Sequence, residues 1–297
     1  MKLKEMKIPK LYMNLSSPKL INKYKNLPIE GIGLFRIEFM IATFIGQHPA
    51  WLIAQDKSNV YFEKLVESIS IVSEALYPKP VVIRFSDFKT NEYRNLAGGA
   101  NYEPQESNPM MGLRGAARFI SEKFQGIFRI ECEAILKIRE KYDNVWVMIP
   151  FVRTVPEARR CLEIMKEEGL ARSPTFKIWL MAETPSNALL IEDFNKLDID
   201  GYSIGSNDLC QFILAVDRDN SDLRQMGYFD EENPALLKAL EMIIRGAHKD
   251  NKTCSICGEA VSQCLGLIDR LIELDIDSMS VNPSEILKVK EYLDKKR

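Results

Sequence analysis

Histidine is scarce in this chain. Of 297 residues only His48 and His248 are histidines. One CxxC pair, Cys254 and Cys257, is present, but there is no second CxxC to complete a structural zinc site. Neither charge is in surplus: 40 basic and 42 acidic residues leave a net charge of −2, which gives nucleic acid no bulk attraction. Apolar runs are short and interrupted, so no segment reads as a membrane span. The N-terminal MKLKEMKIPK lacks the apolar core of a signal peptide. The chain is therefore read as cytoplasmic, and its six cysteines (Cys132, Cys161, Cys210, Cys254, Cys257 and Cys264) as free rather than bridged. A Walker-type glycine loop, internal repeats, low-complexity tracts and linkers are all missing, which points to one domain over residues 1–297. With 46% hydrophobic and 28% charged residues, the composition is that of a soluble globular protein.

What is there is a rhythm. Eight β-rich apolar runs recur: KLYMNL (10–15), GIGLF (31–35), PVVIRF (80–85), VWVMIPF (145–151), KIWLMA (177–182), GYSIG (201–205), TCSIC (253–257) and DSMSV (277–281). Such runs fit strands buried on both faces. Between them lie helical stripes. Leu65, Ile69, Val72 and Leu76 share one face, as do Ala158, Leu162 and Met165, with Gly169 placed to end that helix. Leu237, Leu240 and Ile244 follow Pro234, which suits a first turn. Thr184 and Pro185 are placed as N-cap and first residue of another helix. Eight strands alternating with helices is the count of an α/β (β/α)8 TIM barrel, and a doubly wound sheet would usually have fewer. The long interval after the third strand opens with SDFKTNEYRNLAGGANYEPQESNPMMG, which reads as a long functional loop.

Barrel enzymes place chemistry at the C-terminal ends of strands. There this chain has Arg36 and Glu38, then Arg84 and Asp87, then Glu183, then Gly205, Ser206, Asn207 and Asp208, then Cys257, Gly258 and Glu259, and finally Asn282. Arg36 and Arg84 offer cationic forks for carboxylate or phosphate, or else pair with Glu38 or Asp87. Glu183 and Asp208 supply two hard oxygen ligands suited to Mg2+, although Asp208 or Asn207 also suits a helix cap. Cys257 could carry a proton or simply fill space. The other cysteines read as core. Gly205 and Ser206 could bring backbone amides near an anion.

These motifs carry a resemblance. GIGLFRIEFM resembles the GxGLxRxEF motif of the phosphoenolpyruvate (PEP)-utilising enzymes, and VVIRFSDFKTNEY resembles their arginine-bearing third strand. NPMMGLRG, SIGSNDLCQFILAVDRDN and CSICGEA resemble further motifs of the same family, in the same order, and the likeness runs from about residue 10 to 293. One position departs: the family reads EIPSN where this chain has ETPSN, so Thr184 replaces an apolar residue beside Glu183.

The resemblance implies a PEP/pyruvate-binding barrel. Arg36 and Arg84 would hold the phosphate and carboxylate of PEP, with Arg114 and Arg218 as further anion-binding arginines. Glu183 and Asp208 would bind Mg2+ as cofactor, Gly205, Ser206 and Asn207 would touch substrate, and Cys257 would move a proton at C3. It implies a phosphotransferase working with a phosphohistidine domain of a full-length enzyme or a partner chain, in the branch that makes PEP from ATP, pyruvate and water. It also implies a homo-oligomer with neither nucleic acid nor membrane as partner. His48, in GQHPAW, and His248, in GAHKD, do not resemble the family's phosphohistidine motif, so this chain would carry a partial reaction only. A start at KLYMNL suits a cut at a domain boundary, and an excised fragment and a stand-alone chain are both compatible with it. Two other readings stand beside this one: a non-catalytic oligomerisation module, and an Mg2+-dependent 2-oxo acid lyase barrel.

Overall fold

Each of the eight apolar runs becomes a strand. In a computed structural model describing residues 7–296, the strands are β1 (Lys10–Leu15), β2 (Ile32–Arg36), β3 (Val81–Arg84), β4 (Val145–Ile149), β5 (Ile178–Ala182), β6 (Gly201–Ile204), β7 (Thr253–Ile256) and β8 (Ser278–Val281). Every strand runs parallel to the next, and β8 pairs back onto β1, closing the barrel. Closure leaves no open edge and buries both faces of each strand, which is why these runs are apolar throughout rather than alternating.

The helical stripes pack on the outside. Leu65, Ile69, Val72 and Leu76 are all buried faces of the Ser58–Leu76 helix. Ala158 and Met165 are buried on the Val155–Glu167 helix, with Leu162 half-buried. Gly169 has φ +91 just beyond that helix, where a side chain would be strained. Pro234 opens the Pro234–Lys249 helix, and Asn233 caps it by accepting from the Ala235 N–H at 3.0 Å. Among the described residues no helix is long and apolar enough to cross a membrane.

The barrel interior is filled unevenly. Trp146, Met148, Trp179 and Met181 crowd β4 and β5, with the two indoles edge to face at 5.9 Å between centroids. Opposite them β6, β7 and β8 contribute small buried serines, Ser203, Ser255, Ser278 and Ser280. Large against small fills the lumen. Continuing the inward alternation along β3, β5 and β7 leads from Val82 to Arg84, from Trp179 and Met181 to Glu183, and from Ser255 to Cys257. Strand periodicity therefore delivers polar groups to the C-terminal mouth.

The segment after β3 is more ordered than a plain loop. It holds a short helix, Thr90–Arg94, and a 3-10 turn, Gly99–Asn101. A buried node fastens it: His48 Nε2 lies 2.7 Å from Glu103 Oε1, and Glu103 also binds the Arg118 guanidinium, which lies 3.9 Å from the Phe124 ring centre. Gly115 ends the NPMMGLRG stretch at φ +57, where a Cβ would sit 2.5 Å from Phe151 Cβ.

Candidate active site

A cavity of about 390 Å³ opens at the C-terminal ends of the strands. Arg36, Arg84, Arg114, Glu183, Gly205, Asn207, Asp208, Arg218 and Cys257 all line it. Ser206 is the one residue of the expected set that does not. Its hydroxyl donates to Glu231 Oε1 at 2.6 Å, which anchors the turn instead.

The arginines are not equivalent. Arg84 donates from Nη2 to Glu38 Oε1 at 2.7 Å and has Asp87 at 3.5 Å. Burial opposes its charge, but Glu38 and Asp87 outweigh that and raise its pKa. Arg84 Nε is buried with no hydrogen-bond partner among the described residues. Arg114 forks onto Asp87, from Nε at 3.1 Å and Nη2 at 2.6 Å, and reaches Asp208 Oδ2 at 2.9 Å. Its guanidinium lies 3.9 Å from the Phe151 ring centre. Burial presses the Asp87 carboxyl upward, yet Arg114 and Arg84 prevail and hold it below its ordinary value. Arg218 lies 2.5 Å from Asp208 Oδ1, off the hydrogen-bonding direction.

Arg36 differs from all three. It makes no ion pair or hydrogen bond among the described residues. Its side chain meets solvent in the cavity while protein rings it at longer range. That surrounding burial, then the neighbouring Arg84 guanidinium, lower its pKa. The two sequence readings thus divide: ion pairing holds for Arg84, and an open cation describes Arg36.

Across the cavity, Glu183 is 1% exposed, and its Oε1 accepts from the Phe151 N–H at 2.7 Å. Burial, then the charges of Asp208 and Asp87, push its carboxyl up to about 8. The capping alternative for Asp208 and Asn207 is not what forms. Gly205 occupies the N-cap of the Ser206–Leu214 helix, Asp208 pairs with arginines, and Asn207 Oδ1 accepts from the Glu259 N–H at 3.0 Å. A buried Glu183 carboxyl pushed up by a neighbouring carboxylate suits a divalent cation, which would relieve the repulsion. Among the described residues no group of three or more His, Cys, Asp or Glu is placed to hold a metal. Water and ligand oxygens would therefore complete any coordination at Glu183 and Asp208.

Cys257 stands at the end of β7, with Sγ 3.5 Å from Ile204 O. Burial pushes its thiol up to about 11, and it feels Glu183, Arg84 and Arg36. Gly258 follows because only a missing side chain fits: a Cβ there would lie 1.7 Å from Ser206 Oγ. Cys254 is buried inside β7, so the CxxC pair splits between core and cavity. All six cysteines are free, and Cys264 is only partly buried. Thr184 sits at the N-cap with Pro185 opening the helix, and Asn187 Oδ1 accepts from the Thr184 N–H at 3.0 Å, the return arm of a capping box. The Thr184 hydroxyl lies 3.3 Å from Val152 O and 2.8 Å from Ser186 Oγ. Thus the Thr184 hydroxyl is satisfied within the protein.

Asn14 is among the cavity residues that the strand-end reading of the sequence missed. Asn14, at the end of β1, donates from Nδ2 to Cys257 O at 3.2 Å, and its Oδ1 is buried without a partner. The same rule, applied to KLYMNL, would have found it.

Fold and site together define a parallel eight-stranded barrel that presents arginines, two carboxylates and a thiol at its mouth. The family model described as "PEP-utilising enzyme, PEP-binding domain" matches residues 1–297, and the chain belongs to that family. It is 53% identical over 286 residues to a "Probable phosphoenolpyruvate synthase" of Staphylothermus marinus, covering 96% of this chain and 34% of that one. It is 51% identical over 287 residues to the phosphoenolpyruvate synthase of Aeropyrum pernix (96% and 35%) and 42% identical over 301 residues to that of Escherichia coli K12 (94% and 38%). The chain spans about a third of the length of these relatives. Solved barrels share the fold at low identity. A malate synthase of Haloferax volcanii matches with TM-score 0.54 and 12% identity, covering 97% of this chain and 76% of that one. A HpcH/HpaI aldolase/citrate lyase family protein of Burkholderia cenocepacia matches with TM-score 0.53 and 9% identity (97% and 93%).

Proposed function

We propose that this barrel binds pyruvate or PEP with Mg2+ and hosts phosphoryl transfer between a phosphohistidine on another domain or chain and the pyruvate enolate. It would be the C-terminal part of a phosphoenolpyruvate synthase, converting ATP, pyruvate and water to AMP, PEP and phosphate. One observation carries the reading: the exposed, unpaired Arg36 guanidinium lines the same cavity as Arg84, Glu183, Asp208 and Cys257. The cations suit a carboxylate and a transferring phosphoryl group.

Glu183 and Asp208 would hold the cation, which when bound supplies positive charge where the enolate oxygen becomes negative. Cys257 rests as the neutral thiol. In the direction of pyruvate formation it donates that proton to C3 of the enolate and is left as thiolate. In the direction of PEP formation the thiolate removes a methyl proton from pyruvate. The nearby charges of Arg84 and Arg36 favour the thiolate, against burial and Glu183, which oppose it. The arginines then neutralise the phosphoryl group as it passes to the enolate oxygen.

Calorimetric titration with oxalate, a mimic of the enolate, tests the site. Binding should require Mg2+ and fail in Glu183→Gln and Arg84→Ala. Deuterium exchange into the methyl group of pyruvate should vanish in Cys257→Ala, which a lyase without a thiol acid would not require. A folded chain that binds no oxalate with Mg2+ present would refute the reading.

A further inference from the structure

Glu131 lies outside the cavity, on the core face of the Gln125–Arg139 helix, and is 2% exposed. A carboxylate so placed is costly unless its oxygens are bonded. Here they are. Oε2 accepts from the Ser86 N–H at 3.1 Å, and Oε1 accepts from the Ser86 hydroxyl at 2.6 Å and from the Tyr61 hydroxyl at 2.7 Å. The Tyr93 hydroxyl donates in turn to Ser86 Oγ at 3.0 Å. Burial pushes the Glu131 carboxyl up to about 7, against the pull of these donors.

Ser86 occupies a pivotal position. It stands between Arg84, the last residue of β3, and Asp87, whose carboxylate holds Arg114. The Asp87 N–H and Arg84 converge on the same Glu38 oxygen, at 2.8 and 2.7 Å. A continuous set of bonds thus runs from the outer helix through the Ser86 backbone to the cavity cations. An apolar side chain would avoid the cost of desolvating a carboxylate, but it would leave the Ser86 N–H without an acceptor.

We propose that Glu131 is a positioning residue: by clamping both the N–H and the hydroxyl of Ser86, it fixes the direction in which Arg84 and Asp87 leave β3 and so shapes the anion-binding half of the site. The proposal rests on the reading that this half receives an anionic ligand.

The test compares the whole chain with Glu131→Leu, Glu131→Gln and Ser86→Ala. The readouts are oxalate affinity with Mg2+, hydrogen exchange at the Ser86 amide, and the denaturant midpoint. Leucine keeps the volume and removes the acceptors. It should weaken oxalate at least about tenfold and speed Ser86 exchange at least about tenfold. Glutamine keeps one acceptor oxygen for the Ser86 N–H and should bind oxalate within about threefold of wild type. Ser86→Ala, which loses only the hydroxyl arm, should fall between them, and it carries the test if the leucine variant does not fold. Wild-type affinity and wild-type Ser86 exchange in the leucine variant would overturn the proposal, as would an unchanged alanine variant. So would a glutamine variant as weak as leucine. Lower stability with unchanged affinity would make Glu131 merely structural and overturn it too. If wild type itself binds no oxalate, the functional reading fails, and Ser86 exchange across the variants still decides whether the clamp exists.

Discussion

Glu183→Gln should stabilise this chain at high pH. The Glu183 carboxyl is pushed from 4.5 up to about 8 by burial, then by Asp208 and Asp87, with Arg114 and Arg84 pulling the other way. A carboxyl whose folded value lies above its unfolded one binds its proton more tightly in the native state. Stability is therefore lost as pH rises through the window from about 4.5 to about 8. That gap, at ~1.4 kcal/mol per pH unit, is on the order of 4 to 5 kcal/mol once the group is fully ionised. Glutamine keeps an oxygen for the Phe151 N–H bond at 2.7 Å and never ionises. Urea unfolding in chelator at pH 5, 7 and 9 reads the effect, because titrations that do not feel Glu183 cancel in the difference between the two chains. The variant should match wild type near pH 5 and gain steadily above it. Adding Mg2+ at pH 9 should then raise the stability of wild type but not of the variant. A difference that stays flat with pH, or a wild type more stable at pH 9, would refute the claim that Glu183 is held in electrostatic conflict.

Three other perturbations address neighbouring contacts. Arg114→Met leaves Asp87 and Asp208 buried without their shared guanidinium and should lower unfolding stability by about 3–5 kcal/mol in denaturant titration. Thr184→Val removes a hydroxyl bonded to Val152 O and Ser186 Oγ. It should cost about 1 kcal/mol in the same assay and leave oxalate affinity unchanged. Gly258→Ala places a Cβ 1.7 Å from Ser206 Oγ and so drives Ser206 off Glu231. Calorimetry should show oxalate binding weakened about tenfold or more, with unfolding stability lowered by no more than ~3 kcal/mol.

The barrel was legible because its strands are buried on both faces and therefore stand out as apolar runs, each correct to within a residue or two. Strand ends then located most of the cavity, since inward alternation continues from packing residues to polar ones. Other features were not legible. Nothing in the order of residues says that Arg84 is paired while Arg36 is open, because the partner Glu38 sits on a helical turn whose direction only the fold sets. Thr184 caps its helix as the sequence suggests, but the return bond to Asn187 Oδ1 is visible only in the fold. The chain after β3 reads as loop because its glycines, proline and amides conceal the node formed by His48, Glu103 and Arg118, which joins segments distant in sequence. Glu131 carries no signal in the sequence, and only the arrangement of Tyr61 and Ser86 around it makes its burial tolerable.

The distribution of charge explains why such a cavity can keep its shape with no ligand present. Asp87 and Asp208 both pair with Arg114, Arg218 adds to Asp208, and Glu38 takes Arg84. These pairs are largely buried, where breaking one leaves an uncompensated charge, so they resist rearrangement. Arg36 takes no part in that lattice and keeps its side chain open to cavity solvent. An arriving anion therefore meets one cation that needs no partner displaced, beside others already fixed in direction. On the proposed function, the reorganisation that a flexible set of arginines would require at each turnover would already be complete in folding, which is the condition under which fixed charges act on a transition state.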